Sequence, residues 1–211
     1  MSADPHAGQP VLVRGRPLGQ GRAAMIMVHG RGAGPENILE LAGLLAHPDF
    51  TYLAPSASGG TWYPYSFMAE REKNEPGITS GLGAIDHLVG EVTGRGIPLE
   101  RVVLLGFSQG ACLASTYAAR HAARFGAVIV LSGGLIGPPG TAWDYPGSFG
   151  GTPVFLGCSD VDAHVPAARV QESADVFRRM GAEVTARIYP GMGHLVNEDE
   201  LAFTRELIAG V

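Results

Sequence analysis

Residues 102–114 of this chain read Val102-Val103-Leu104-Leu105-Gly106-Phe107-Ser108-Gln109-Gly110-Ala111-Cys112-Leu113-Ala114. The part before Gly106 is apolar throughout, as expected for a parallel strand that is covered on both faces. The part after Gly110 has small and apolar residues and no proline, which predicts a helix. Between them, Gly-x-Ser-x-Gly is typical of a tight strand-to-helix turn that exposes a serine hydroxyl and needs glycine on either side. The stretch therefore predicts a nucleophile elbow with Ser108 at its tip.

Strand-like and helix-like segments alternate through the rest of the chain, with no linker and no internal repeat. Apolar and β-branched runs predict strands at residues 11–13, 24–28, 51–54, 102–107, 127–131, 154–157 and 184–189. Helical patterns and start signals predict helices at residues 36–46, 81–93, 109–120, 166–180 and 198–209. The alternation predicts an α/β fold, with a mostly parallel sheet flanked by helices on both faces. In such sheets, ligands bind beyond the carboxyl ends of the strands.

Length and composition predict a single domain over residues 1–211. A chain of 211 residues with 45% apolar content can bury one core but is too short for two ordinary domains. Within it, residues 1–10 are expected to form a flexible N-terminal extension, and His6 is expected to have no role. The net charge of −5, without a Lys/Arg cluster, argues against a nucleic-acid partner or an anionic membrane surface.

Hydropathy and cysteine content indicate the cellular compartment. No apolar run reaches the roughly 18 residues of a membrane-spanning helix, and the first ten residues lack a basic-then-apolar secretion signal. We therefore expect no stable membrane insertion and a cytoplasmic location. The two cysteines, Cys112 and Cys158, lie in predicted core elements without metal-type spacing, so we expect buried, reduced thiols.

A glycine-rich turn, His29-Gly30-Arg31-Gly32-Ala33-Gly34, follows the second predicted strand. Such a turn can direct backbone N–H groups at an oxyanion, and the residue after the nucleophile can supply a second donor. We therefore predict that the backbone amides of Arg31 and Gln109 form an oxyanion hole. A phosphate-binding loop is the alternative, but the Walker and Rossmann spacings are absent. His29 is expected to be structural, packed beneath the turn, with proton transfer as its alternative role.

Two further loops follow the last two predicted strands. The first contains Asp160 and Asp162, and the second contains Gly193-His194. A serine hydroxyl becomes a good nucleophile when an imidazole removes its proton, and a carboxylate holds that imidazole in the required tautomer. Ser108 as nucleophile, one aspartate and His194 as base would form such a triad. Spacing alone leaves Asp160 and Asp162 as competing acids.

These motifs resemble the phospholipase/carboxylesterase branch of the α/β-hydrolases, which includes acyl-protein thioesterases and small bacterial carboxylesterases. The resemblance extends over nearly the whole chain, and it is carried by His29-Gly30, Gly106-Phe107-Ser108-Gln109-Gly110, Asp162-Ala163-His164-Val165-Pro166 and Gly193-His194. In that family the catalytic acid opens an Asp-Pro-x-Val-Pro stretch. The resemblance therefore implies Asp162 as the acid, with Ala163 in place of proline, and leaves Asp160 a hydrogen-bonding or capping residue. Cys158 stands where many relatives carry histidine.

His164 is a further histidine close to the predicted triad. It is a candidate substrate contact, with a partly exposed loop histidine as the alternative. A metal site built from Asp160, Asp162, His164 and His194 is conceivable from the residue types, but it would leave Ser108 without its base. We therefore expect no metal.

The longest irregular stretch, residues 55–68, provides the predicted substrate contacts. It carries Trp62, Tyr63, Tyr65 and Phe67 at the active-site end of the third strand, which favours an apolar wall for an acyl or aryl group. The alternative is that these side chains only cover the core. Leu135, after the fifth strand, is predicted as a further contact. The connection to the sixth strand is too short for a large helical cap, so an accessible site for small soluble esters is expected.

The residues and the resemblance together predict a serine carboxylesterase that acts on small-molecule esters through an acyl-enzyme and needs no cofactor. An acyl thioesterase or a lysophospholipase would use the same machinery. A noncatalytic ligand-binding protein can share the fold. The sequence does not fix the oligomeric state, and a homodimer is compatible with it.

Overall fold

The computed structural model describes residues 4–211, so residues 1–3 of the predicted N-terminal extension lie outside the described residues. The strands are β1 (Val11–Gly15), β2 (Ala23–Val28), β3 (Phe50–Pro55), β4 (Val102–Phe107), β5 (Ala127–Leu131), β6 (Pro153–Ser159) and β7 (Glu183–Tyr189). They form one sheet in the order β1-β3-β2-β4-β5-β6-β7. β1 is antiparallel to β3, and the other neighbouring strands are parallel. The predicted, mostly parallel sheet is confirmed.

Helices cover both faces of this sheet, as predicted. They are α1 (Pro35–Leu45), α2 (Gly77–Gly94), α3 (Gln109–Arg120), α4 (Ala167–Arg179) and α5 (Glu198–Ile208). α1 and α5 share one apolar cluster with the sheet, and α2, α3 and α4 share the other. Between β5 and β6 the described chain forms only turns, bends, irregular backbone and an isolated bridge, so no large cap lies there.

The central strand β4 is apolar on both sides because both of its faces are covered. Val102 and Leu104 belong to the cluster with α2, α3 and α4, whereas Val103 and Leu105 belong to the cluster with α1 and α5. All four side chains are at most 1% exposed. Burying a side chain of this size stabilises a fold by about 1.5–3 kcal/mol. β4 therefore holds Ser108 firmly at the middle of the carboxyl edge of the sheet.

Helix α2 begins at Gly77 rather than at the predicted residue 81. The glycine at position 81 serves close packing rather than marking a boundary. A Cβ on Gly81 would lie 2.9 Å from Leu113 Cδ1 and 3.3 Å from the ring of Trp62. Glycine at this position thus lets α2 approach α3. Helix α2 includes Gly81 and begins four residues before it.

The described part of the N-terminal segment packs against the protein, which corrects the expectation of a flexible extension for residues 4–10. His6 is 6% exposed. Its Nδ1 accepts the backbone N–H of Ser58 at 3.1 Å, and its Nε2 lies 2.9 Å from the carbonyl oxygen of Trp62. Because Nδ1 is the acceptor, Nε2 carries the proton and donates. These contacts join His6 to residues more than 50 positions later in the chain, a pairing that no local sequence pattern reveals.

Candidate active site

Ser108 lies in a strained turn between β4 and α3. Its backbone has φ 56° and ψ −121°, a conformation that few non-glycine residues adopt. A Cβ on Gly106 would fall on the backbone of Gly110, and a Cβ on Gly110 would fall on the carbonyl of Val28. Both glycines of the motif are therefore required by space, as the elbow prediction assumed.

The structure brings Ser108, His194 and Asp162 into one chain of hydrogen bonds. His194 Nε2 lies 2.8 Å from Ser108 Oγ, and His194 Nδ1 lies 2.6 Å from Asp162 Oδ2. The side chain of His194 is 20% exposed, whereas that of Asp162 is fully buried. The imidazole also packs against the ring of Phe107, with a centroid distance of 5.0 Å. An ionised Asp162 accepts from Nδ1–H, so Nε2 is left without a proton and faces the serine hydroxyl.

Asp162 is held by the backbone of its own loop. Its Oδ1 accepts the N–H groups of His164 at 2.8 Å and Val165 at 2.9 Å. Burial opposes ionisation of this carboxyl, but the hydrogen bonds from His194 and the two amides outweigh burial and keep its pKa below the ordinary value. Alanine at position 163 restricts the backbone less than proline would. The two hydrogen bonds to Asp162 Oδ1 fix the turn instead.

Asp160, the competing acid, has a different position. Its Oδ1 accepts the N–H of Gly191 at 2.8 Å, and its own N–H donates to Tyr189 O at 3.1 Å. Ser159 Oγ accepts the N–H of Gly193 at 3.0 Å. Asp160 and Ser159 thus tie the loop of Asp162 to the loop of His194. Sequence analysis missed this role of Ser159, although a hydroxyl at a strand end is a common partner for loop amides.

The two predicted oxyanion donors lie on the turn after β2 and at the start of α3. Among residues 4–211, neither the Arg31 amide nor the Gln109 amide has a protein acceptor. The turn approaches the nucleophile closely, since a Cβ on Gly30 would lie 3.3 Å from Ser108 Cβ. Gly32, at φ 74°, donates to Gly60 O at 2.8 Å and fixes the turn against the aromatic segment, residues 55–68.

His29 is structural, as predicted. It is fully buried; Nδ1 lies 2.8 Å from Gly30 O, and Nε2 accepts the N–H of Ala57 at 3.1 Å. Burial lowers the pKa of His29, which agrees with an imidazole that stays neutral and bridges two loops.

A cavity of about 460 Å³ opens at Ser108 and His194. Four of the predicted substrate contacts line it: Tyr63, Tyr65, Phe67 and His164. Its wall also includes residues that sequence analysis did not single out as contacts, namely Gly30, Ala33, Asn37, Pro64, Ser66, Phe107, Cys112 and Val165. These come from α1, the end of β4, α3 and three loops, so only the folded topology assembles them.

Two predicted substrate contacts, Trp62 and Leu135, do not line this cavity, so the prediction is wrong for them. Trp62 is 1% exposed and Leu135 is fully buried, both in the core cluster with α2, α3 and α4. The indole N–H of Trp62 donates to His29 O at 2.9 Å. The ring centroids of His6 and His29 each lie 5.0 Å from that of Trp62. Trp62 is therefore a core residue, and its indole binds the residue that begins the glycine-rich turn.

The side chain of Gln109 has a role that sequence analysis did not assign. Oε1 accepts the N–H of Trp62 at 2.9 Å, and Nε2 donates to Tyr63 O at 2.8 Å. Gln109 is 6% exposed. One residue therefore presents a free amide beside the nucleophile and holds the aromatic segment through its carboxamide.

The sequence pattern of the Phospholipase/Carboxylesterase family matches residues 16–211. The chain belongs to this family. Within it, a solved phospholipase/carboxylesterase from Dyadobacter fermentans is 38% identical and superposes with a TM-score of 0.92, covering 96% of this chain and 97% of that one. Membership makes the chain an esterase-type hydrolase of the α/β-hydrolase fold.

Other relatives of this family member are named for a different ester class. Acyl-protein thioesterase 1 of Saccharomyces cerevisiae is 28% identical over 164 residues, which cover 73% of this chain and 71% of the yeast protein. The protein of the same name from Gibberella zeae is 29% identical, over 62% of this chain and 57% of that protein. Esterase and thioesterase names thus both occur among its relatives.

Both cysteines of this carboxylesterase-family chain are free and buried, as predicted. Burial raises the pKa of Cys112 and of Cys158 to about 12, in Cys158 with a further contribution from Asp162. Cys158 Sγ lies 3.7 Å from Asp162 Oδ2. Neither thiol is a thiolate near neutral pH.

Neither a metal-binding cluster nor a membrane-spanning helix is present among the described residues. Over the described part of the chain, no group of three or more His, Cys, Asp or Glu side chains is arranged to hold a metal ion. His194, one of the four residues weighed as ligands, has its two nitrogens directed at Ser108 and Asp162. None of the described helices is long and apolar enough to cross a membrane.

Proposed function

We propose that this chain is a serine carboxylesterase that hydrolyses small-molecule carboxylic esters through an acyl-enzyme. The observation that supports it most is the hydrogen-bonded chain from Ser108 Oγ through His194 to Asp162. Two amides without protein acceptors, those of Arg31 and Gln109, border the same cavity. This combination of a nucleophile, a base, an acid and oxyanion donors is the machinery of acyl transfer.

The first half-reaction acylates Ser108. Its hydroxyl proton moves to His194 Nε2 while Oγ bonds to the ester carbonyl carbon, and the carbonyl oxygen becomes an oxyanion held by the two amides. Asp162 stabilises the imidazolium that forms. When the tetrahedral intermediate collapses, the bond to the leaving oxygen breaks and His194 Nε2 returns the proton to that oxygen, releasing the alcohol.

The second half-reaction repeats these steps with water. His194 takes a proton from a water molecule while the oxygen of that water attacks the acyl carbon. The proton passes to Ser108 Oγ when the bond between Oγ and the acyl carbon breaks. The products are a carboxylic acid and the free serine. No step needs a cofactor or a metal, which is why the proposal includes neither.

An acyl thioesterase is the second candidate, because several relatives carry that name. The same residues would cleave a thioester, with a thiol as the leaving group. A panel of p-nitrophenyl esters and matched acyl thioesters of rising chain length distinguishes the two by kcat/KM. The alternative of a lysophospholipase is tested by adding a lysophospholipid to the panel.

A fluorophosphonate probe tests the enzyme proposal against a noncatalytic binding protein. We expect covalent labelling of Ser108 and a loss of ester hydrolysis on the order of 10³-fold or more in Ser108→Ala. Ser66→Ala removes another hydroxyl on the cavity wall and should keep the label. Absence of labelling, or a folded Ser108→Ala protein that retains most activity, would overturn the proposal.

The proposal also covers the partners of the protein and its location in the cell. A small ester is the proposed substrate, with no nucleic-acid partner and no stable membrane insertion. The cytoplasmic location and the homodimer stay predictions, which cell fractionation and light scattering of the purified protein test.

A further inference from the structure

Among the described residues that line the active-site cavity, Arg31 is the one with a permanently charged side chain. The other polar lining groups are neutral side chains or imidazoles, and no Asp or Glu is among them. The cavity is therefore positive at its wall, although the whole chain has a net charge of −5.

The guanidinium of Arg31 has hydrogen-bonding capacity left over. Nη1 donates to Pro64 O at 2.8 Å, and Nη2 donates to Tyr65 O at 2.8 Å. A guanidinium has five N–H donors, so these two contacts orient the group without satisfying it. The ion pairs found among residues 4–211 do not include Arg31, and its side chain is exposed to solvent.

The acidic groups near the site form no ion pair with Arg31. Asp162 is buried and holds His194, and Asp160 accepts the Gly191 amide. Glu36 lies beside Gly34 at the start of α1, but it does not line the cavity and forms no ion pair with Arg31. None of the three therefore pairs directly with the Arg31 guanidinium.

We propose that this site selects esters that carry a carboxylate, which the guanidinium of Arg31 binds while Ser108 attacks the ester carbon. The inference rests on the proposed function and names a substrate class for it. Hydrogen bonds to a charged group are stronger than neutral ones, and a partly enclosed cavity weakens screening by water. The carboxylate can belong to the leaving group or to the far end of the acyl chain, and the two sources are separated by experiment.

Two matched pairs of substrates test the inference. In the first pair, 4-acetoxybenzoate carries the carboxylate on the leaving group, and its methyl ester is the neutral partner. In the second pair, 4-nitrophenyl hydrogen adipate carries it on the acyl chain, again with the methyl ester as partner. The ratio of kcat/KM for the anionic and neutral members is the readout. We expect it to exceed about fivefold in at least one pair at low ionic strength and to fall as salt is added.

Variants of Arg31 test whether its charge causes the preference for anionic esters. Arg31→Gln and Arg31→Lys both lose the fork that binds Pro64 and Tyr65, but only Arg31→Lys keeps the charge. We expect Arg31→Gln to reduce the ratio about three- to tenfold and Arg31→Lys to retain most of it. Arg101→Gln is the control for net charge, because Arg101 precedes β4 at the end of the strand opposite to Ser108.

Binding to the Ser108→Ala protein, measured by calorimetry, separates this inference from the proposed function. Preferential binding of 4-acetoxybenzoate or of the adipate monoester, lost on adding Arg31→Gln, would support the anion site even if no ester were cleaved. Normal hydrolysis of neutral esters with ratios that Arg31→Gln leaves unchanged would overturn the inference alone. A wild-type preference for the neutral member of both pairs would overturn it as well.

Discussion

Gln109 Oε1 accepts the backbone N–H of Trp62 at 2.9 Å, so the residue that follows the nucleophile also holds the aromatic segment in place. Its Nε2 completes the bridge by donating to Tyr63 O. Movement of the aromatic segment and movement of the oxyanion amide are therefore linked through a single side chain. A substitution at Gln109 should affect stability and catalysis together.

Gln109→Leu is expected to lower both the melting temperature and kcat/KM. It leaves a buried N–H and a buried carbonyl without partners, which costs about 1–3 kcal/mol for each group. Displacement of the aromatic segment should add a loss of activity of about tenfold or more, since catalysis is sensitive to shifts of about 1 Å. Thermal unfolding and kcat/KM for butyrate esters measure both effects. Unchanged stability together with full activity would show that the bridge is dispensable.

Asp162→Asn should be far more damaging than Asp160→Asn. An amide at position 162 cannot stabilise the His194 imidazolium or hold the required tautomer, so kcat should fall by about 10³- to 10⁴-fold. An amide at position 160 keeps the Oδ1 acceptor for the Gly191 N–H, so we expect a loss below about tenfold. Circular dichroism checks that both variants fold. The reverse ranking would contradict the assignment of Asp162 as the acid.

Trp62 and Tyr65 should respond oppositely to truncation. Trp62→Ala creates a core cavity and should destabilise the fold by about 3–5 kcal/mol, with a similar loss of activity on all esters. Tyr65 lines the cavity and is 59% exposed, so Tyr65→Ala should hardly change stability. We expect its kcat/KM to fall more for hexanoate than for acetate esters, by up to about 1 kcal/mol of binding for each methylene that loses contact. Equal losses across the ester series in Tyr65→Ala would remove it from the substrate contacts.

The buried carboxyl group of Glu200 should make the protein less stable as the pH rises. Its side chain is fully buried, Oε2 accepts the Asn197 N–H at 2.8 Å, and Oε1 has no partner in the described structure. Burial raises its pKa from 4.5 to about 7. A raised carboxyl pKa favours the protonated folded state, so this contribution is complete below about pH 4.5 and is lost as pH rises towards 7.

Glu200→Gln tests this dependence. The glutamine keeps an acceptor for Asn197 but cannot ionise, so the variant should be at least as stable as the wild type at pH 8 and should lose the decline between pH 5 and 7. His29 acts in the opposite direction: its lowered pKa means that stability falls as pH drops below 6.5. The variant should therefore show the rise with pH that His29 contributes. Unfolding in urea at pH 5, 6, 7 and 8 measures it, and identical curves for both proteins would contradict the assignment.

The sequence predicted the strands and the carboxyl-edge motifs because both depend on local pattern. Short apolar runs rich in β-branched residues, such as that of β4, are typical of a strand covered on both faces. Contacts within the turn and with the neighbouring strand leave no room for a side chain at positions 106 and 110, so both must be glycine. Since the carboxyl ends of parallel strands meet at one edge, Ser108 and His194 could be expected to lie close together without knowledge of their distance.

The direction of loop side chains could not be predicted in the same way. Trp62 and Tyr65 share one aromatic segment and similar neighbours in sequence, yet one is buried and the other is exposed. The difference arises from partners that are distant in the chain, namely His29 and His6, whose rings contact the indole of Trp62. How many N–H groups of the Arg31 guanidinium have an acceptor likewise depends on which backbone carbonyls the fold places beside it.

The anchored position of His6 affects where the chain can be trimmed. The region shared with the family begins at residue 16, yet the imidazole that binds Ser58 and Trp62 lies ten residues before it. A version of the protein cut at the family boundary would leave the Ser58 N–H and the Trp62 carbonyl without their partner and would remove the ring contact between His6 and Trp62. For expression, tagging or fusion, the functional unit therefore starts upstream of the region by which relatives are recognised.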